Sequence, residues 1–127
     1  MIQNVARIFG AVFLLIGGLG FLAGGMSMEA NPALAPKVLG LFPVNVLHNV
    51  IHLLFGVWGL AASRTVAGAA PYAKAAGAIY LVLAIAGFFI PTTFGLIPIG
   101  GHDIWLHALI GIVLLTVGLQ APRSVTT

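Results

Sequence analysis

The sequence predicts an all-α membrane protein, with four transmembrane helices built as a tandem repeat of two helical hairpins. Three observations predict it. Of 127 residues, 61% are hydrophobic and 6% charged, with a mean hydropathy of +1.16. A soluble domain carries about 25% charged residues, so this chain lacks the polar groups to cover a water-facing surface. Four apolar segments, at about 8–25, 44–62, 74–90 and 104–119, each approach the roughly 20 residues a helix needs to cross hydrocarbon. Finally, the two halves of the chain align with each other. Lipid leaves no partner for unpaired backbone groups, so the segments are helices rather than strands.

The first segment follows Arg7 and is rich in glycine. Gly10, Gly17, Gly18, Gly20 and Gly24 mark helix packing, since no strand precedes them to make a nucleotide loop. Arg7 before an apolar run and Ala23-Gly24-Gly25 after it also fit a secretory leader; the internal repeat argues for a retained helix. Asn31-Pro32 and Pro36 punctuate the connection to the second segment, which opens on Pro43, Asn45, His48, Asn49 and His52. Arg64 to Pro71 reads as the next connection, ahead of a third helix that begins near Lys74. Pro91, Gly95, Pro98 and Gly101 separate the third segment from the fourth, which opens on His102, Asp103 and His107.

Segments one and three align without a gap. Arg7, Gly10, Phe13, Leu14, Gly20 and Phe21 match Lys74, Gly77, Tyr80, Leu81, Gly87 and Phe88. Segments two and four align as well: Leu41, Pro43, His52 and Gly56 match Leu96, Pro98, His107 and Gly111, with His48 falling on Asp103. The chain reads as one domain, 1–127, with repeat one at about 5–63 and repeat two at about 72–120. Each repeat has an even number of spans, so the two run the same way and are related by a pseudo-two-fold axis along the membrane normal. Arg7, Arg64, Lys74 and Arg123 lie on one side, and Lys37, Glu29 and Asp103 on the other. By the positive-inside rule both termini are cytoplasmic. Five basic residues serve as orientation signals and give no nucleic-acid surface.

His48 and His52 are four apart on one face of a helix, and Asp103 and His107 repeat the spacing. Both helices start at the outer face, which puts His52 and His107 roughly 10 Å below it. The repeat brings His48, His52, Asp103 and His107 together between helices two and four, with Asn45, Asn49 and His102 placed to cap the helix or steady the imidazoles. Gly56 and Gly111, one turn deeper, let those two helices approach, and Gly20 and Gly87 are their counterparts on helices one and three.

Three chemistries suit this set. The imidazoles and carboxylate can hydrogen-bond across helices and only tie the repeats together. They can hold Zn, Cu or Fe, since three imidazoles and a carboxylate make a near-tetrahedral donor set. Or His52 and His107 can serve a b-type haem or a quinone, walled by Phe42, Phe55, Trp58, Phe94 and Trp105; basic partners for haem propionates are scarce there, with Lys37 alone on that side. The absence of cysteine excludes disulfides, Fe–S clusters and thiol catalysis. No P-loop and no Ser-His-Asp arrangement argues for an enzyme. The rival to a metal-binding or redox protein is a non-catalytic accessory subunit of a larger membrane complex or a homo-oligomer.

The run from Gly40 through Pro43, Asn45, His48, Asn49 and His52 to Gly56 and Trp58 resembles the signature of an uncharacterised family of small four-helix bacterial membrane proteins, a domain of unknown function distantly similar to DoxX-like proteins. Arg7 to Phe13 and Asp103 to His107 extend the resemblance over nearly the whole chain. It implies a four-helix bundle in the bacterial inner membrane, and site positions at Asn45, His48, Asn49, His52, Asp103 and His107. It implies no settled activity.

Overall fold

Apolar composition makes the helices, and a few polar side chains set where they begin. The structure, a computed structural model, describes residues 1–123. Its four helices are α1 (Ile2–Gly24), α2 (Val46–Ala62), α3 (Val66–Phe89) and α4 (Asp103–Gln120). α1, α3 and α4 are long and apolar enough to cross a membrane, while α2, at 17 residues, is shorter and equally apolar. It spans about 26 Å, just short of the hydrocarbon thickness of roughly 30 Å.

α1 starts earlier than the apolar run, at Ile2, and ends on Gly25, whose left-handed φ of 53° lets its N–H reach Phe21 O. Its first turn is polar because Gln3 donates from Nε2 to Ser63 O and Arg64 O, tying it to the end of α2. α2 starts at Val46 because Asn45 takes the cap position, its side chain accepting from His48 N at 2.9 Å. α3 corrects the boundary drawn from the sequence. It begins at Val66, so Pro71 lies inside a helix and not in a connection. Thr65 supplies the start signal, its Oγ1 accepting from Gly68 N at 3.0 Å. Proline is costly once past the first turn because it has no N–H to donate four residues back; the cap and burial of Ala69, Ala70, Tyr72 and Ala73 outweigh that cost.

The connection between α1 and α2 contains a small antiparallel pair, β1 (Lys37–Val38) and β2 (Phe42–Pro43), with Lys37 opposite Pro43 and Val38 opposite Phe42. The turn between them holds Leu39 and Gly40 at φ 55° and 69°. The connection between α3 and α4 holds Phe94 and Gly95 at φ 58° and 85°.

α1 packs chiefly on α2, and α3 chiefly on α4. Glycine allows this. A methyl group on Gly10 would stand 2.8 Å from Leu60 N, and one on Gly56 would stand 2.9 Å from Gly10 O. In the other pair, a methyl on Gly77 would press on Leu115 N, and one on Gly111 would stand 3.0 Å from Gly77 O. Gly56 and Gly111 thus close contacts within each hairpin, not the α2–α4 approach expected from the sequence. Gly20 meets Asn49, and Gly87 meets Ile99 and Ile104. Between the hairpins lies a core of Phe13, Tyr72, Tyr80, Leu114 and small alanines. Large apolar side chains cover the outside, with Leu22 at 84% and Phe89 at 81% exposure. Such a surface is lipid-facing.

Candidate metal centre

The first turns of α2 and α4 and the middle of α1 and α3 deliver the site. Asn45 caps α2 and also donates from Nδ2 to Leu96 O at 2.8 Å, which fixes the start of α2 to the loop ahead of α4. This sets His48 and His52 against α4. Asp103 occupies the first turn of α4, where a negative side chain suits the helix dipole, and His107 follows one turn on.

His48, His52 and His107 are all buried, and their ligating nitrogens lie within 4.8 Å of one another. The ring centroids of His48 and His52 are 4.5 Å apart, and those of His48 and His107 5.8 Å. His48 Nδ1 stands 3.1 Å from Pro43 O. Donation from Nδ1 to this carbonyl fixes the tautomer that leaves Nε2 with a free lone pair. The Nδ1 atoms of His52 and His107 are buried without a hydrogen-bond partner, as is Asp103 Oδ2. Asp103 Oδ2 is 3.7 Å from His48 Nδ1, too far for a hydrogen bond.

The sequence-derived set therefore divides. The structure brings His48, His52 and His107 together and puts Asp103 beside them. Asn45 acts through the helix start. Asn49 is buried against Gly20 of α1, with neither Nδ2 nor Oδ1 partnered. His102 is exposed and accepts from Trp105 Nε1 at 3.0 Å, away from the cluster. It precedes the first turn of α4, so its side chain leaves the bundle where that of Asp103 enters it.

Two aromatic residues complete the site. Phe13 stacks on His52 at 5.9 Å, Tyr80 meets His107 edge-on at 5.2 Å, and the two rings stack on each other at 5.2 Å. Sequence reasoning passed over them as wall residues, although they occupy matched positions in segments one and three. Of the expected walls, Phe42 and Phe55 are half-buried, whereas Phe94 is 85% exposed and Trp58 and Trp105 are about half exposed. Two cavities flank the imidazoles. One of about 190 Å³ reaches His48, His52 and Asp103 from the side of α1 and the β1–β2 turn. One of about 40 Å³ lies between His48, His52, Tyr80 and His107.

A family model matches residues 3–120. The chain belongs to that family, the Domain of unknown function (DUF4383). The match covers all four helices and every candidate residue of the centre, so the DUF4383 domain and the bundle are one unit. Nothing in it ties DUF4383 to the DoxX-like proteins. Comparisons with curated proteins and with solved structures give no match.

Proposed function

We propose that this DUF4383 protein binds a transition-metal ion through His48, His52 and His107. The observation that carries the reading is the convergence of three buried imidazole nitrogens within 4.8 Å. A Zn–N length of 2.0–2.1 Å places tetrahedral ligand nitrogens about 3.4 Å apart, a closure that small ring rotations supply. Zn, Cu and Fe all accept such a donor set, and Asp103 is the carboxylate beside it for the fourth position. Histidines that only tied helices together would spend their ring nitrogens on hydrogen bonds. Here His52 Nδ1 and His107 Nδ1 have no partner, which favours ligation over the role of an accessory subunit's structural clasp. The space between His52 and His107 is about 40 Å³. A water occupies about 30 Å³ in the liquid, so the room suits an ion rather than a haem macrocycle.

The reading includes a duplicated hairpin. The Gly10–Leu60 and Gly77–Leu115 contacts pair residues that align between repeats, and so do the Gly20–Asn49 and Gly87–Ile104 contacts. Leu39-Gly40 and Phe94-Gly95, which share the left-handed backbone, also stand in register. On this view the ion sits near the pseudo-two-fold axis toward the periplasmic side of the inner membrane, with both termini cytoplasmic.

The test is metal content and the visible spectrum of protein purified without a histidine tag. The expected result is one ion per chain, lost in His52→Ala and in His107→Ala. A preparation that stays metal-free after incubation with Zn, Cu and Fe, or that keeps its ion in both variants, overturns the proposal.

A further inference from the structure

The end of the bundle opposite the imidazoles carries a groove with a charged rim. Ala67, Pro71 and Lys74 stand at i, i+4 and i+7 on one face of α3, and Pro122 and Arg123 line the groove from beyond the end of α4. Its volume is about 210 Å³. We propose that this groove binds the headgroup of an anionic phospholipid, with the phosphate held by Lys74 and Arg123 and a headgroup hydroxyl donating to Ala67 O.

The fold brings the two cations to one place. A methyl group on Gly118 would stand 2.8 Å from Lys74 N, so the last turn of α4 lies against the backbone of Lys74. α4 stops at Gln120, and Arg123 follows three residues on. Charge sets the anion. The acidic side chains of the whole sequence are Glu29 and Asp103. Glu29 lies in the α1–α2 connection and Asp103 starts α4, so both belong to the other end of the bundle. No acidic side chain of the chain is placed to neutralise Lys74 and Arg123. Basic pockets between helices at a membrane surface take anionic headgroups, and a guanidinium suits phosphate oxygens in particular.

Pro71 sets the hydroxyl. Its ring has no N–H, so Ala67 O lacks the donor that a helix normally supplies from four residues on. A carbonyl left in this way takes a donor from water or from a ligand. Phosphatidylglycerol offers both halves of the match, one negative charge on its phosphate and free hydroxyls beyond it. The groove is larger than the cavity of about 150 Å³ that accepts benzene, so it has room for a headgroup and not only for a lone ion.

The surroundings favour a lipid over free phosphate. Beyond Lys74 the exposed residues Ala78, Val82 and Ile85 continue along α3. From Lys74 to Ile85 this apolar track runs roughly 16 Å, close to half of the hydrocarbon thickness of about 30 Å, the depth of one leaflet. An acyl chain can follow it. The groove shares no residue with the metal centre, so the two readings stand or fall separately.

The experiment titrates the full chain in mild detergent with phospholipids of matched acyl chains, and native mass spectrometry counts the bound lipid. Wild type should bind one phosphatidylglycerol at least tenfold more tightly than phosphatidylcholine. It should also prefer phosphatidylglycerol to phosphatidylmethanol, which has the same charge and no hydroxyl, at least threefold. Lys74→Gln and Arg123→Gln should each lose the tenfold preference. Arg7→Gln removes an equal charge at the same end of the bundle, outside the groove, and should keep it. Helical circular dichroism checks that each variant folds. Pro71→Ala returns an N–H to Ala67 O and should lose only the preference over phosphatidylmethanol. Inorganic phosphate in hundredfold excess should leave the lipid bound. Equal binding of phosphatidylglycerol and phosphatidylcholine by wild type, full preference in both Lys74→Gln and Arg123→Gln, or an equal loss in Arg7→Gln overturns the proposal. Displacement by inorganic phosphate overturns the lipid as occupant, and equal binding of phosphatidylmethanol overturns the role of Ala67 O.

Discussion

Replacing Gly10 by alanine tests how the hairpins are held. The new methyl group would lie 2.8 Å from Leu60 N, 3.0 Å from Gly56 O and 3.1 Å from Gly59 C. All three are backbone atoms, so no side chain can swing aside. Relief requires α1 and α2 to move apart until an ordinary separation of about 3.5–4.0 Å between non-bonded atoms is restored. Insertions of this kind cost about 1–3 kcal/mol. Alanine has a higher helix propensity than glycine by about 1 kcal/mol, which offsets part of that cost. The net expectation is a loss of about 0–2 kcal/mol. Gly18→Ala is the control: a methyl there meets nothing within 4 Å, so the propensity gain stands alone and stability stays level or rises. Gly77→Ala, its methyl 2.7 Å from Leu115 Cα, should match Gly10→Ala. The assay is reversible unfolding in mixed micelles, followed by helical circular dichroism. If Gly10→Ala and Gly77→Ala are as stable as Gly18→Ala, the backbone contacts do not hold the hairpins together and the reasoning fails.

Asn45→Ala removes both the α2 cap and the bond to Leu96 O; the same unfolding assay should show a loss of about 1–3 kcal/mol. Asn45→Asp keeps the cap acceptor and should recover part of that loss, and an alanine variant as stable as wild type would remove Asn45 from the account. Tyr72→Phe deletes the hydroxyl that donates to Phe55 O at 3.1 Å and should cost about 0.5–1.5 kcal/mol by thermal denaturation. Leu39→Asn and Phe94→Asn relieve left-handed leucine and phenylalanine, since asparagine tolerates that backbone better. In detergent their melting temperatures should hold or rise, and a clear drop in either would show a packing role that their exposure does not suggest.

The all-helical membrane character was determined by the sequence alone, because it follows from composition and segment length. The caps at Asn45 and Thr65 are also local, since each side chain bonds to a backbone N–H three residues on. The start of α3 was nevertheless misplaced from the sequence, because Pro71 reads as a break and its toleration depends on the burial of Ala69, Ala70 and Ala73 of the same helix within the bundle. The i,i+4 spacing of His48 with His52 put both on one face of α2. It could not say which partner that face would meet, and Asn49, the next residue after His48, is turned toward Gly20 instead. His102 and Asp103 are adjacent in the chain, yet only Asp103 enters the site, because a helix rotates its side chains by about 100° per residue. Gly56 and Gly111 were legible as packing residues; that they face α1 and α3 depends on how each hairpin closes. The repeated spacing already pointed to a meeting of His48, His52 and His107; tertiary structure alone decided that two of their ring nitrogens stay unpartnered. That outcome depends on the distance and rotation between helices, which residues far apart in the chain set together.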